Sequence, residues 1–138
     1  MRILRSGGSG VIVGPMGRMA AALLLLCAGC AGSHPKPRPL AAGVSFAGNW
    51  DSTWGRMELR QEGKHVHGTF TGYREGGITG QLDGDVYNFI WDQRVPRQHG
   101  HGFMQLSPDG LHLEGRWGYM ADDNTGGRWA ADRDTNAQ

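Results

Sequence analysis

Between residues 44 and 131, apolar side chains return at every second position and glycine interrupts the run every few residues. Nowhere in that stretch do apolar residues recur at the i, i+3, i+4, i+7 spacing of an amphipathic helix, so the chain is restricted to half-buried strands. Residues 46–53 form a first strand around Gly48-Asn49-Trp50. In 56–62, Met57 and Leu59 alternate with Arg56, Glu58 and Arg60. Val66, Gly68 and Phe70 then alternate with His65, His67 and Thr69, and Ile78, Gly80 and Leu82 mark a fourth strand. Residues 85–92 set Tyr87, Phe89 and Trp91 on one face and Val86 and Ile90 on the other, which allows burial on both faces. Strands at 102–106, 111–117 and 126–131 complete the series.

The punctuation between these runs is turn chemistry. Asp83-Gly84 predicts a two-residue hairpin of type I′, whose central residues need positive φ. Ser107-Pro108-Asp109-Gly110 has Pro and Gly where a type I turn with a glycine bulge wants them, and Glu62-Gly63-Lys64 reverses the chain between the second and third strands. Short connections make successive strands antiparallel neighbours. The expected fold class is therefore all-β: an antiparallel up-and-down meander of about eight short strands, closed or nearly closed into a small barrel, which removes exposed edges. A β-sandwich or an open curled sheet is the alternative.

All 12 aromatic residues lie between Phe46 and Trp129 and supply the core. Gly-x-Trp recurs at Gly48-Asn49-Trp50, Gly115-Arg116-Trp117 and Gly127-Arg128-Trp129, and Trp-Gly at Trp54-Gly55 and Trp117-Gly118. This echo predicts a Trp packed over a glycine of the neighbouring strand. It reads either as plain core packing or as an aromatic-lined pocket. In the pocket reading Trp50, Phe70, Trp91 and Trp117 wall the site, Ser52 adds a polar contact, and loops 71–76, 94–100 and 119–126 do the contacting.

Ahead of this domain, the first 18 residues carry Arg2, Arg5 and Arg18 and no acid, and residues 19–26 are an uncharged apolar run. Eight residues cannot span a bilayer core, which takes about 20. A basic flank, a short apolar core and small residues follow the order of an export signal, expected as a helix over 1–29. Both cysteines, Cys27 and Cys30, fall here. Their Cys-x-x-Cys spacing suits a redox or metal pair, but no strand–helix context and no second pair accompany it. Ala28-Gly29-Cys30 after the leucine run resembles the bacterial lipoprotein signal, with Cys27 standing where that pattern has Leu. The resemblance implies cleavage before Cys30, a lipid thioether on its sulfur and an acyl chain such as palmitate on its amino group; simple secretion is the alternative. It further implies a membrane-anchored protein of the bacterial cell envelope, and Ala31 after the cysteine implies the periplasmic face of the outer membrane in a diderm host.

Cleavage there leaves 109 of the 138 residues and, without the three leader arginines, 11 basic and 13 acidic side chains, a net charge of −2. Basic-patch binding of nucleic acid thereby loses its compositional support, and no nucleic-acid partner is expected. Residues 30–43, with Ser33-His34-Pro35-Lys36-Pro37-Arg38-Pro39, read as a proline-rich extended tether. Residues 44–134 form the β domain and 135–138 a frayed tail.

Gly48-x-Trp50, Gly68-Thr69-Phe70 and Gly115-x-Trp117, in that order over about 90 residues, are similar to the avidin/lipocalin-like (calycin) barrels. The resemblance implies a ligand-binding barrel. Where avidins have the Tyr whose phenol meets biotin, this chain has Phe70, and Gly72 stands two residues on, so the polar contacts for biotin do not carry over. The run Trp54-Gly55-x-Met57-x-Leu59-x-Gln61 also resembles segments of bacterial lipoproteins and repeat modules of unassigned function.

No catalytic motif is present. His65 with His67, or His99 with His101, would need a third ligand from Glu58, His112 or Glu114 to hold a metal, and alternation with apolar neighbours makes them exposed polar positions instead. Asp122-Asp123-Asn124 lacks the spaced ligands of a calcium loop, and Asp51 with Asp92 has no motif to pair it for glycoside hydrolysis. No nucleophile elbow, phosphate loop or dinucleotide fingerprint occurs. The expectation is a non-enzymatic binding domain without metal or cofactor, partnered by the membrane through Cys30 and by a small apolar or amphipathic ligand or an envelope protein. A structural envelope component with a filled core is the alternative, and an envelope hydrolase a more distant one.

Overall fold

The computed structural model describes residues 34–136, all of it strand, turn and irregular chain. The signal-like segment 1–29 with its expected helix, and both Cys27 and Cys30, lie outside the described residues. Eight strands follow one another: β1 (Gly48–Ser52), β2 (Gly55–Glu62), β3 (His65–Thr71), β4 (Gly76–Asp83), β5 (Val86–Gln93), β6 (Gln98–Leu106), β7 (His112–Tyr119) and β8 (Gly127–Arg133). Each pairs antiparallel with the next, and β1 pairs with β8 through Trp50↔Arg133 and Ser52↔Ala131, so the meander closes into a barrel.

Period-two alternation decides what points inward. Trp50, Met57, Leu59, Val66, Phe70, Ile78, Leu82, Tyr87, Phe89, Trp91, Met104, Leu106, Leu113, Trp117, Trp129 and Ala131 make one core. The interior of an eight-stranded barrel is just wide enough for side chains to fill it, and the large rings fit because glycine stands opposite them. Trp91 pairs with Gly100, Phe89 with Gly80 and Gly102, Trp117 with Gly102 and Gly127, and Trp129 with Gly115. The expected packing of Trp against a neighbouring strand's glycine is present. A Cβ on Gly102 would fall 2.4 Å from the Phe89 ring, and one on Gly126 would fall 2.5 Å from the Trp117 ring.

Three local expectations need correction. Ile90 is 49% exposed, so β5 is buried on its inner face and, beyond that, only at Val86. The 94–100 loop is shorter than its polarity suggested: β6 already starts at Gln98, because Gln98 and Gly100 occupy inward positions without an apolar side chain to reveal them. The 83–86 hairpin has Gly84 and Asp85 as its central residues, with φ +56° at Gly84 and no positive φ at Asp85. A glycine in first position with a normal second residue suits type II′ rather than I′. The 107–110 turn is as expected: Gly110 N–H donates to Ser107 O at 2.9 Å, with φ +75° at Gly110.

The two barrel ends differ. At one, Phe46 is fully buried as a plug. Its N–H donates to Gln61 Oε1, its carbonyl accepts from Trp50 Nε1, and its ring meets Tyr87 edge-on. Arg133 closes the same end, donating to Gly110 O, Ala47 O and Ser45 O and lying over the Trp50 ring at 4.2 Å. The proline-rich stretch, where described, is docked along the barrel wall. Arg38 gives its N–H and its Nε to the two oxygens of Asp85, while Arg38 O accepts from Asp85 N–H and Lys36 O from Gln105 Nε2. Nothing in the composition of that stretch announces these contacts. The connections β1–β2, β3–β4, β5–β6 and β7–β8 all lie at the opposite end and frame its mouth.

Candidate functional site

The mouth holds a recess of about 90 Å³ lined by Trp54, Phe70, Arg74, Trp91, Gln93, Gln98, Trp117, Tyr119 and Trp129. The strands place these residues: Phe70, Trp91 and Gln93, Trp117 and Tyr119, and Trp129 are inward positions on β3, β5, β7 and β8, while Trp54 and Arg74 come from the adjoining loops. Trp117 is the hub. Its ring meets Trp54, Trp91 and Tyr119 edge-on with centroids 5.3, 5.5 and 5.0 Å apart. Trp129 stands perpendicular to Phe70 and Phe89. T-shaped contacts are a preferred aromatic geometry, so these walls support one another.

Hydrogen bonding at the recess is uneven. Trp91 Nε1 donates to Gly118 O at 3.1 Å, and Gln93 Nε2 to Pro96 O at 2.8 Å. The Nε1 atoms of Trp54, Trp117 and Trp129 are buried and donate to nothing. Buried polar groups are nearly always paired, so three exceptions around one cavity mark the place. Four of the exposed large apolar side chains, Tyr73, Val95, Tyr119 and Met120, sit on the mouth connections or at their edge, 47 to 82% exposed. Met120 alone among the described non-glycine residues has positive φ, +57°; its N–H donates to His99 O and its carbonyl contacts the His101 ring. Left-handed backbone at a non-glycine residue is strained and persists where surrounding structure over-determines it.

Of the residues singled out in sequence, Phe70, Trp91 and Trp117 come together in this recess. Trp50 does not; it is buried under Phe46 and Arg133 at the closed end. Ser52 sits in the β1–β2 turn, where its Oγ donates to Gly55 O and accepts from Trp54 N–H, so it positions Trp54 rather than lining the recess. Loops 71–76, 94–100 and 119–126 are all at the mouth. Sequence reasoning missed Trp54, Gln93 and Trp129, and reached Arg74, Gln98 and Tyr119 only as members of the contacting loops. Extending the alternation two residues past Trp91 and Trp117, and back from Gly100, reaches Gln93, Tyr119 and Gln98.

Elsewhere the polar groups satisfy one another. A wider hollow of about 440 Å³ on the outer wall is lined by Asp51, His112, Glu114, Arg128 and Asp132 among others. There Arg128 binds both oxygens of Glu114 at 2.6 Å, and His112 meets Asp132 at 2.6 Å, a hydrogen bond that raises the His112 pKa above its ordinary value. His65 and His67 stack at 5.4 Å, and no group of three potential ligands among the described residues is placed to hold a metal. The Asp122 carboxylate accepts from the Asn124 and Thr125 N–H groups and so folds its own loop. Asp51 and Asp92 point outward from β1 and β5 and share no cleft.

No protein-family model, curated protein or solved structure matches the chain.

Proposed function

We propose that this chain is a lipid-anchored protein of the bacterial cell envelope whose barrel is a non-enzymatic binding domain, taking a small apolar or amphipathic ligand at its mouth. The observation that carries this reading is the asymmetry of the barrel. One end is plugged by Phe46 and clasped by Arg133, while the other opens on an aromatic recess ringed by exposed apolar side chains. Ligand pockets are concave, mostly apolar and supplied with a few polar groups, which fits the mouth. A drug-sized ligand needs about 300 Å³ or more, so a recess of about 90 Å³ takes the end of a ligand and leaves the rest on the rim. The closed meander and its Gly-x-Trp strands favour a calycin-like ancestry for such a role. Among the titratable side chains only Arg74 and Tyr119 line the recess, which favours binding over catalysis.

The anchor rests on the leader: a basic flank, the leucine run and Ala28-Gly29-Cys30 support lipidation of Cys30 and retention at the membrane, at the outer membrane's periplasmic face in a diderm host. A second reading, a structural envelope component without ligand, draws on the filled barrel centre. Native mass spectrometry of the protein purified from its own host separates the two: a bound small molecule supports the binding domain, and the mass of the acylated polypeptide alone supports the structural component. Cys30→Ala tests the anchor. Release from the membrane fraction is expected, and unchanged retention contradicts it.

A further inference from the structure

Resting on the mouth as a binding site, we propose that the group seated in the recess is a carboxylate, carried at the end of an amphipathic acid. No carboxylate lines the recess, and three of its lining residues carry an indole N–H without an acceptor. Trp117 and Trp129 are 8% and 3% exposed, and their Nε1 atoms, together with that of Trp54, are buried without an acceptor. This is not a general property of the indoles in the barrel, since Trp50 and Trp91 donate to Phe46 O and Gly118 O. The only charged lining residue is Arg74, whose guanidinium lies 5.3 Å from the Tyr73 ring centroid. Its neighbour Glu75 lies 3.9 Å from Arg94 instead.

A carboxylate brings two oxygens with about four acceptor sites. It therefore has sites for more than one donor and suits a guanidinium, which pairs with carboxylates in a two-pronged geometry. An ammonium group finds no anion in the same place and meets the Arg74 charge there. Size agrees: a recess of about 90 Å³ has room for a carboxylate and its first methylene but not for a whole amphipathic acid. The remainder of the acid then runs outward over Tyr73, Val95, Tyr119 and Met120.

The test is a titration of the full-length protein at neutral pH, read by tryptophan fluorescence, with hexanoate, hexanamide, acetate and N-acetylglycine. Hexanoate is expected to bind at least tenfold more tightly than hexanamide. Arg74→Gln should abolish that preference. Trp54→Phe, which keeps an aromatic ring and removes one donor, should weaken hexanoate several-fold; Arg74 is partly exposed, so its variant serves if the Trp54 change harms folding. Tightest binding of hexanoate supports the amphipathic acid; tightest binding of acetate or of N-acetylglycine overturns the amphipathic carrier and assigns the carboxylate to a free small acid or a peptide end. Equal binding of hexanoate and hexanamide, unaltered in Arg74→Gln, overturns the carboxylate and leaves the mouth as an apolar site. Absence of binding by all four overturns both readings.

Discussion

The rings of Trp91 and Trp117 stand edge-on at the barrel mouth, centroids 5.5 Å apart and planes at 86°, yet only one of the two indoles is hydrogen-bonded. Trp91 Nε1 reaches Gly118 O, and Trp117 Nε1 reaches nothing. Neighbouring rings of the same kind thus play different parts: Trp91 ties a wall to the main chain, and Trp117 holds a donor in reserve.

That difference has a stability signature. Trp91→Phe and Trp117→Phe delete the same atoms, but the first also removes a bond to Gly118 O while the second removes an unpaired buried donor. Urea unfolding of the ligand-free protein should show Trp91→Phe to be the more destabilising by about 1–2 kcal/mol.

Gly115 lets β6 and β7 approach under the Trp129 ring. A Cβ there would lie 1.8 Å from Phe103 O and 2.8 Å from Met104 Cα, both main chain and unable to yield cheaply. Gly115→Ala should cost about 3 kcal/mol of unfolding free energy. Gly63→Asn is the matched control, since the Gly63 position is open and has φ +62°, which Asn tolerates; its midpoint should move little.

Arg133 joins three carbonyls and the Trp50 face at the plugged end. Arg133→Ala strands those carbonyls and uncovers Trp50. A loss on the order of 2–3 kcal/mol is expected in chemical denaturation, together with a red shift of the Trp50 emission.

Asp85 governs the docked segment. Burial alone would raise its pKa, but hydrogen bonds from Gln105 and Arg38 and the Arg38 charge outweigh burial and hold it below 3.8. A carboxyl whose folded value is depressed adds stability above its unfolded value, and that stability is lost as pH falls through the folded one. The melting-temperature gap between wild type and Asp85→Asn should therefore be constant above about pH 5 and close below pH 3.8. At neutral pH the Arg38 amide, which donates to Asp85 Oδ1, should exchange faster in Asp85→Asn.

Much of the barrel was legible in the chain because inward positions alternate without a break: Tyr87, Phe89 and Trp91, or Leu113, Gly115 and Trp117, declare their faces directly. What alternation cannot give is height along the barrel axis. Trp50 and Trp117 share the Gly-x-Trp pattern, yet one lies under Phe46 and the other at the mouth, because the stagger between strands sets depth and short β1 ends at Ser52. Trp54, and the side that Arg74 takes within its contacting loop, were illegible for another reason: both lie in turns, where no period assigns a side. The docking of Arg38 on Asp85 joins residues 47 apart with no local signal at either.

The donors at the mouth can be watched one by one. In ¹⁵N-labelled full-length protein each of the five indole N–H groups gives its own resonance. On saturation with hexanoate, those of Trp54, Trp117 and Trp129 should move downfield as they acquire an acceptor, while those of Trp50 and Trp91, already bonded to Phe46 O and Gly118 O, hold still. Unmoved resonances for the first three, or a uniform shift of all five, would contradict a carboxylate taken at the mouth.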